Sequence, residues 1–177
     1  MAGLNVLNYE VVPNFIDTDR AVKLGDEFKQ YVEQYNIEGD SQVRQSRAMY
    51  NYISFLELLI EKSNQVSSIC GETVLPTYCY ARAYHNGADL TRHTDRPACE
   101  VSVTLNLGSD KDWPIFVKTP EGDEVSVSLK PGDAMMYYGC VAEHWRETFE
   151  GEYCNQVFLH YVKSRGENQP FYFDKMR

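Results

Sequence analysis

No two cysteines in this chain stand in Cys-x-x-Cys spacing, and their number is odd: Cys70, Cys79, Cys99, Cys140 and Cys154. That argues against a disulfide framework and against a zinc site built from these cysteines. It predicts free, mostly buried thiols in a reducing, cytoplasmic compartment. No apolar run approaches the roughly 20 residues that cross a bilayer. The opening Met1-Ala-Gly-Leu-Asn-Val-Leu-Asn-Tyr-Glu has no basic segment followed by a long apolar one. Neither a membrane partner nor a signal peptide is expected. Positive charge is in deficit: 17 Lys and Arg against 26 Asp and Glu, a formal net charge of −9. This argues against a nucleic-acid backbone as the main partner, since such binding needs a basic surface. A small anion held by one local basic residue stays open. The chain also lacks a Gly-rich phosphate loop and any alternation of strand with helix, which removes the nucleotide-binding parallel sheets.

What is present is enough for one core. At 177 residues the chain is long enough for one buried core and short for two. It has no repeats, low-complexity stretch or linker, so a single domain over 1–177 is expected. Thirteen tyrosines suit β-rich structure and a lined pocket. Residues 1–16 read as an extended lead-in, with Val11-Val12-Pro13 on a sheet edge. Asp17 or Thr18 caps a helix over about 18–35, with Val22, Phe28, Val32 and Tyr35 as its apolar stripe. The polar stretch 36–45 reads as a loop, or as a mobile segment over a site. A second helix follows over about 52–68, with Ile53, Leu56, Leu59 and Ile60 on one broad face, Phe55 and Val66 extending it, and Cys70-Gly71 closing it.

After Pro76 the periodicity changes to two. Thr77 to Tyr84 alternates large with small residues, and Val101, Val103, Leu105 and Leu107 face one way. Val157, Leu159 and Tyr161 lie opposite Gln156, Phe158 and His160. Further short strands are read between them, separated by turns such as Lys130-Pro131-Gly132-Asp133. The aromatics Phe171, Tyr172 and Phe173 pin the tail, 166–177, to the body. The pattern predicts a mainly β fold with flanking α: a double-stranded β-helix, jelly-roll and cupin-like. Helices support it over about 17–70, and the barrel spans about 77–162.

Histidine is scarce too: His85, His93, His144 and His160. If 90–95 is a strand, His93 and Asp95 present one imidazole and one carboxylate to a single point. His144 follows a Pro-Gly-Asp turn and a strand-like run. Two histidines and one carboxylate form the facial set that holds non-haem Fe(II) with open positions, and zinc is the competing metal. The plainer readings are a surface histidine beside a carboxylate for His93 and a core histidine beside Trp145 for His144.

An ordered set of motifs extends this reading. Tyr84-x-x-Gly87 precedes His93-x-Asp95; Thr104-Leu105-Asn106 and Leu129-Lys-Pro-Gly-Asp-Ala134 precede the distal His144. Over about residues 78–162 the chain resembles the Fe(II)- and 2-oxoglutarate-dependent dioxygenase superfamily, nearest its prolyl 4-hydroxylase-like branch. The resemblance implies iron held by His93, Asp95 and His144, and Tyr84 hydrogen-bonded to a 2-oxoglutarate carboxylate. It implies a hydroxylase that consumes O2 and 2-oxoglutarate, releases succinate and carbon dioxide, and acts on a prolyl residue of a protein or peptide. A free amino acid or other small molecule is the alternative substrate. In one respect the chain departs from the family. Arg or Lys usually stands nine or ten residues after the distal histidine, to pair with the C5 carboxylate; here Tyr153 and Cys154 stand there. Arg146 is the first-choice substitute, because a guanidinium binds a carboxylate through two parallel hydrogen bonds. Arg82 and Lys118 are the others, His160 a further hydrogen-bonding partner, and Arg96 a rim residue. Candidates for shielding the reaction are Leu105, Phe116, Val127, Met135 and Phe158. A β-barrel binding module without turnover, and a cupin-like iron or zinc enzyme without 2-oxoglutarate, are the rival readings.

Overall fold

The structure is a computed structural model and describes residues 3–175. The expected lead-in and tail are therefore described from residue 3 and up to residue 175; residues 1–2 and 176–177 lie outside. The lead-in is not wholly extended. A short helix, α1 (Leu4–Leu7), turns through Asn8 into strand β1 (Tyr9–Val12), which pairs at a sheet edge. Helix α2 (Thr18–Gln34) starts at Asp17, whose carboxylate accepts the N–H groups of Asp19 and Arg20 and so satisfies donors the helix cannot. Helix α3 (Ile53–Cys70) closes on Gly71, whose φ of 80° is the left-handed conformation that glycine adopts without penalty.

Both helices bury a face somewhat different from the one expected. In α2 the buried residues are Ala21, Gly25, Phe28 and Val32, while Val22 and Tyr35 are exposed. The cause is close approach: a Cβ on Gly25 would sit 2.5 Å from the Leu107 carbonyl oxygen. The helix thus seats on the sheet along its smallest residues. In α3 the expected Phe55, Leu59 and Val66 are buried together with Leu58 and Cys70, while Ile53 and Ile60 face solvent. Its first eight residues carry apolar side chains nearly all round, so the period alone could not choose the face.

Among the described residues ten strands form two antiparallel sheets. The larger contains β1, β2 (Ser46–Tyr50), β3 (Val74–His85), β5 (Val101–Ser109), β8 (Ala134–Tyr137) and β10 (Tyr153–Lys163), in the order β1-β8-β5-β10-β3-β2. The smaller is β4-β9-β6-β7, from β4 (Leu90–His93), β6 (Ile115–Lys118), β7 (Glu124–Val127) and β9 (His144–Arg146). This is the double-stranded β-helix with N-terminal helical support. Strand β2 lies between the loop and the second helix read from the sequence, in a stretch to which the sequence assigns no element.

Alternation sorts the larger sheet into two faces. Cys79, Ala81, Ala83, Val103, Leu105, Leu107, Val157, Leu159 and Tyr161 form one core with the helices. Leu105 therefore packs under the helices and shields nothing in the barrel. The opposite face carries Tyr78, Tyr80, Arg82 and Tyr84 on β3, Ser102, Thr104 and Asn106 on β5, and Gln156, Phe158 and His160 on β10. So many buried polar groups on one inner face are costly unless paired, and here they surround the site. All five cysteines are free. Among the described residues no helix is long and apolar enough to cross a membrane.

Candidate metal centre

Cross-strand pairing assembles the two histidines. His93 ends β4, and its direct partner in β9 is His144, so the two rings sit 4.4 Å apart centre to centre. Asp95 arrives differently from the expected two-residue alternation. The strand stops at His93, and the Asp95 N–H donates to the Gly139 carbonyl at 2.8 Å, which turns the chain back. Its Oδ1 then lies 3.4 Å from His93 Nε2 and 3.5 Å from His144 Nε2. Gly139 permits this, because a Cβ there would stand 2.5 Å from Asp95 Oδ2 and overlap the Cys99 carbonyl oxygen.

Hydrogen bonds set the imidazoles for coordination. His93 Nδ1 is 2.7 Å from the Thr91 carbonyl oxygen and His144 Nδ1 is 2.8 Å from that of Ala142. A carbonyl only accepts, so each Nδ1 carries the proton and each neutral ring offers a bare Nε2. One donor atom from each of His93, Asp95 and His144 falls within 4.8 Å of the others. Asp95 Oδ2 is buried with no hydrogen-bond partner. An unpaired buried carboxylate oxygen beside two imidazoles is a poor arrangement without a cation and a suitable one with it. Burial opposes the Asp95 charge, yet the His144 and His93 imidazoles beside it outweigh burial and hold the carboxyl well below the usual range. Burial likewise disfavours a charged His93, but Asp95 and the Thr91 carbonyl raise its pKa on balance.

A cavity of about 410 Å³ opens beside these donors. Its lining includes His93, Asp95, His144 and His160, with Leu90, Ile115 and Phe158 as apolar walls. Of the expected shielding residues only Phe158 is part of it. Val127 and Met135 pack in a separate core with Ile115 and Tyr137, and Phe116 stacks on Trp145. The sequence offers 36–45 as a loop or a segment over a site, without naming the residues that tie it to the cavity. There Asp40 and Gln42 from the 36–45 stretch take hydrogen bonds from Arg82, and Tyr80 donates to Asp40. Tyr50, Tyr78 and Tyr80 complete the rim. The alternation Tyr78, Tyr80, Arg82, Tyr84 was the available signal. Arg96 also lines the cavity, paired with Asp174 of the tail.

Tyr84 and Arg146 are buried and are not part of this lining. Tyr84 is wholly buried, meets the edge of Trp113, and its oxygen accepts from Arg82. Arg146 is 3% exposed; its guanidinium lies over Trp113 and donates through Nη1 to the Trp113 carbonyl. Its Nε and Nη2 have no partner. Arg82, by contrast, is held by Asp40 in an ion pair of 2.6 Å, and Lys118 is exposed at the end of β6. His160 joins the cavity from β10, its Nδ1 2.8 Å from Ser102 Oγ.

No protein-family model and no curated protein sequence matches the chain. Solved structures do. A prolyl-4-hydroxylase from Pseudomonas putida aligns at a TM-score of 0.74 and 16% identity, over 92% of this chain and 96% of that one. An oxidoreductase of the 2OG-Fe(II) oxygenase family from Burkholderia pseudomallei gives 0.73 and 14%, over 94% and 89%. HygX from Streptomyces hygroscopicus, solved with nickel and 2-oxoglutarate, gives 0.71 and 10%, over 92% and 85%. At such identities the likeness establishes the shared double-stranded β-helix fold. The triad of donor atoms that could hold a metal is shown separately, by the geometry of this chain's own side chains.

Proposed function

We propose that this protein is an Fe(II)- and 2-oxoglutarate-dependent dioxygenase that hydroxylates an unactivated C–H bond. The observation that carries the reading is the convergence of His93 Nε2, His144 Nε2 and Asp95 on one point, with both Nδ1 atoms tied to carbonyls. These three residues hold the iron. Bound iron supplies O2 activation coupled to oxidative decarboxylation of 2-oxoglutarate, giving succinate, carbon dioxide and one oxygen atom for the substrate. The chain's own contribution is position and exclusion of water. Arg146 offers Nε and Nη2 to the cosubstrate's distal carboxylate, which relieves a buried cation that otherwise lacks partners. Tyr84 accepts from Arg82 and so keeps its own O–H to donate to the same carboxylate. His160 stands beside the cosubstrate. Leu90, Ile115 and Phe158 keep solvent from the reacting centre.

The first substrate proposed is a prolyl residue of a protein or peptide, supported by the likeness to the Pseudomonas prolyl-4-hydroxylase. A small molecule is the second reading. It is favoured by the Asp40–Arg82–Tyr80 bridge across the mouth, which narrows the approach for a polypeptide. Anaerobically reconstituted Fe(II) protein, exposed to O2 and 2-oxoglutarate with a panel of prolyl peptides and amino acids, is expected to form succinate. Production should depend on both iron and 2-oxoglutarate and rise with the true substrate. No succinate with any member of a broad panel, together with no binding of 2-oxoglutarate, rejects the proposal.

A further inference from the structure

We infer that Asp95, Cys99 and His160 form a second cation position, which shares Asp95 with the first and takes a borderline-soft divalent ion of the zinc class. One donor atom from each of these residues lies within 4.8 Å of the others. The local chain explains the meeting. Residues Pro97–Cys99 form a single 3-10 turn directly after Asp95, and β5 begins two residues later. In the β5–β10 register His160 stands opposite Ser102. Cys99 and His160 thus reach Asp95 from the 3-10 turn and the larger sheet, whereas His93 and His144 reach it from the smaller sheet.

The hydrogen bonds around His160 point to a ligand. Ser102 Oγ donates its only proton to the Cys99 carbonyl at 3.0 Å. It can then meet His160 Nδ1 at 2.8 Å only as the acceptor, so Nδ1 carries the ring proton. The bare Nε2 is left for the cavity that His160 lines, on a side chain 94% buried by its 6% exposure. Nothing among the described residues donates to it. That is the same preparation as in His93 and His144, with a hydroxyl in place of a carbonyl. An acceptor nitrogen suits a cation and cannot bind a carboxylate, which turns His160 away from the donor role expected of it toward the cosubstrate. The Tyr78 hydroxyl lies 3.0 Å from Cys99 Sγ, placed to donate to a thiolate. Asp95 Oδ2, buried and without a partner, completes the set.

Thiolate, imidazole and carboxylate with one open position form a tetrahedral zinc-type set. The sulfur favours zinc over the harder divalent ions, and zinc generally binds such donors more tightly than Fe(II). Binding is an exchange without redox: the Sγ–H proton leaves to solvent as the S–metal bond forms. Because both positions draw on Asp95, an ion in the second competes with the first for its carboxylate. Cys99 and His160 belong to this position alone, so its test does not depend on the iron reading of the first.

The test is anaerobic titration of metal-free protein with Co2+, read by absorption. A thiolate-to-cobalt charge-transfer band in the near ultraviolet is expected, displaced by Zn2+. It should survive in Cys140→Ser and in His144→Ala, and vanish in Cys99→Ser. Absence of the band in the wild-type protein overturns the proposal, as does its persistence in Cys99→Ser. Its loss in His144→Ala also overturns it, because the sulfur would then report only on the first position. Should Cys99→Ser fail to fold, His160→Asn decides: it keeps the thiol and is expected to weaken cobalt binding at the band by at least about 10-fold, and an unchanged titration contradicts the assignment.

Discussion

Unpartnered atoms are the most informative single-residue features of this protein. Arg146 buries a guanidinium with two nitrogens unpaired, an arrangement that burial penalises until an anion arrives. Arg146→Ala is expected to leave iron stoichiometry unchanged and to raise the apparent Kd for 2-oxoglutarate by about 10-fold or more, from loss of a charge-assisted hydrogen bond of about 1.5–3 kcal/mol. Arg146→Lys should fall between, since it keeps charge without the planar fork. Calorimetric titration measures both; an unchanged affinity in Arg146→Ala removes it from the site. Gly139 gives a second test. A Cβ there meets Asp95 Oδ2 at 2.5 Å, so Gly139→Ala should push the carboxylate off the triad and weaken metal binding by about 10–100-fold, the usual scale for disturbed outer-shell support. Equal metal affinity in that variant would mean that Asp95 adjusts freely. Gly139 gave no signal in the sequence, because its role exists only once Asp95 and Cys99 have folded against it.

Secondary elements carried most of what the sequence made legible. The change from helical to two-residue period at Pro76, and the alternation in β3, β5 and β10, identified the barrel and which residues share a face. The histidines and Asp95 were read correctly as neighbours, though for a partly different reason: cross-strand register and the Gly139 carbonyl bring them together, and neither has a local signature. Helix faces were less legible, since packing in α2 follows small residues and α3 is apolar nearly all round. The burial in α3 is testable. Leu59→Ala should cost about 2–5 kcal/mol by opening a core cavity, while Ile60→Ala, 54% exposed, should stay within about 0.5 kcal/mol; denaturant unfolding separates them, and similar losses would contradict the face. The 36–45 stretch was read as a loop or a segment over a site, and it is tied across the mouth by Asp40. Burial raises the Asp40 pKa, but hydrogen bonds from Tyr80 and Arg82 lower it further, so on balance it falls below the ordinary value. A depressed carboxyl stabilises the fold above its unfolded pKa, about 3.9, and that stabilisation is lost as pH falls through the lower folded value. Protection of 36–45 against hydrogen exchange, taken relative to the intrinsic rate at each pH, should therefore be high at neutral pH and fall in acid. Asp40→Asn should exchange fast even at neutral pH; unchanged protection there would show that Asp40 does not hold the segment.

At the scale of the whole molecule, two sheets enclose a polar interior, and helices seal the outer face of the larger sheet. This division leaves the inner face free to carry Tyr, Arg, His, Ser and Thr side chains that a fully apolar core would exclude. The missing cation at residues 153 and 154 was visible in the sequence. The sequence offers Arg146, Arg82 and Lys118 as substitutes but cannot rank them by burial; in the fold Arg146 is buried on the smaller sheet, Arg82 is paired with Asp40, and Lys118 is exposed. The central claim is that one cavity holds both iron and 2-oxoglutarate. Anaerobic titration of 2-oxoglutarate into the Fe(II) protein, followed by visible absorption, tests it most directly. The account predicts a metal-to-ligand charge-transfer band that saturates at one equivalent and is absent in His144→Ala. A protein that binds Fe(II) yet shows no such band at any 2-oxoglutarate concentration would contradict it.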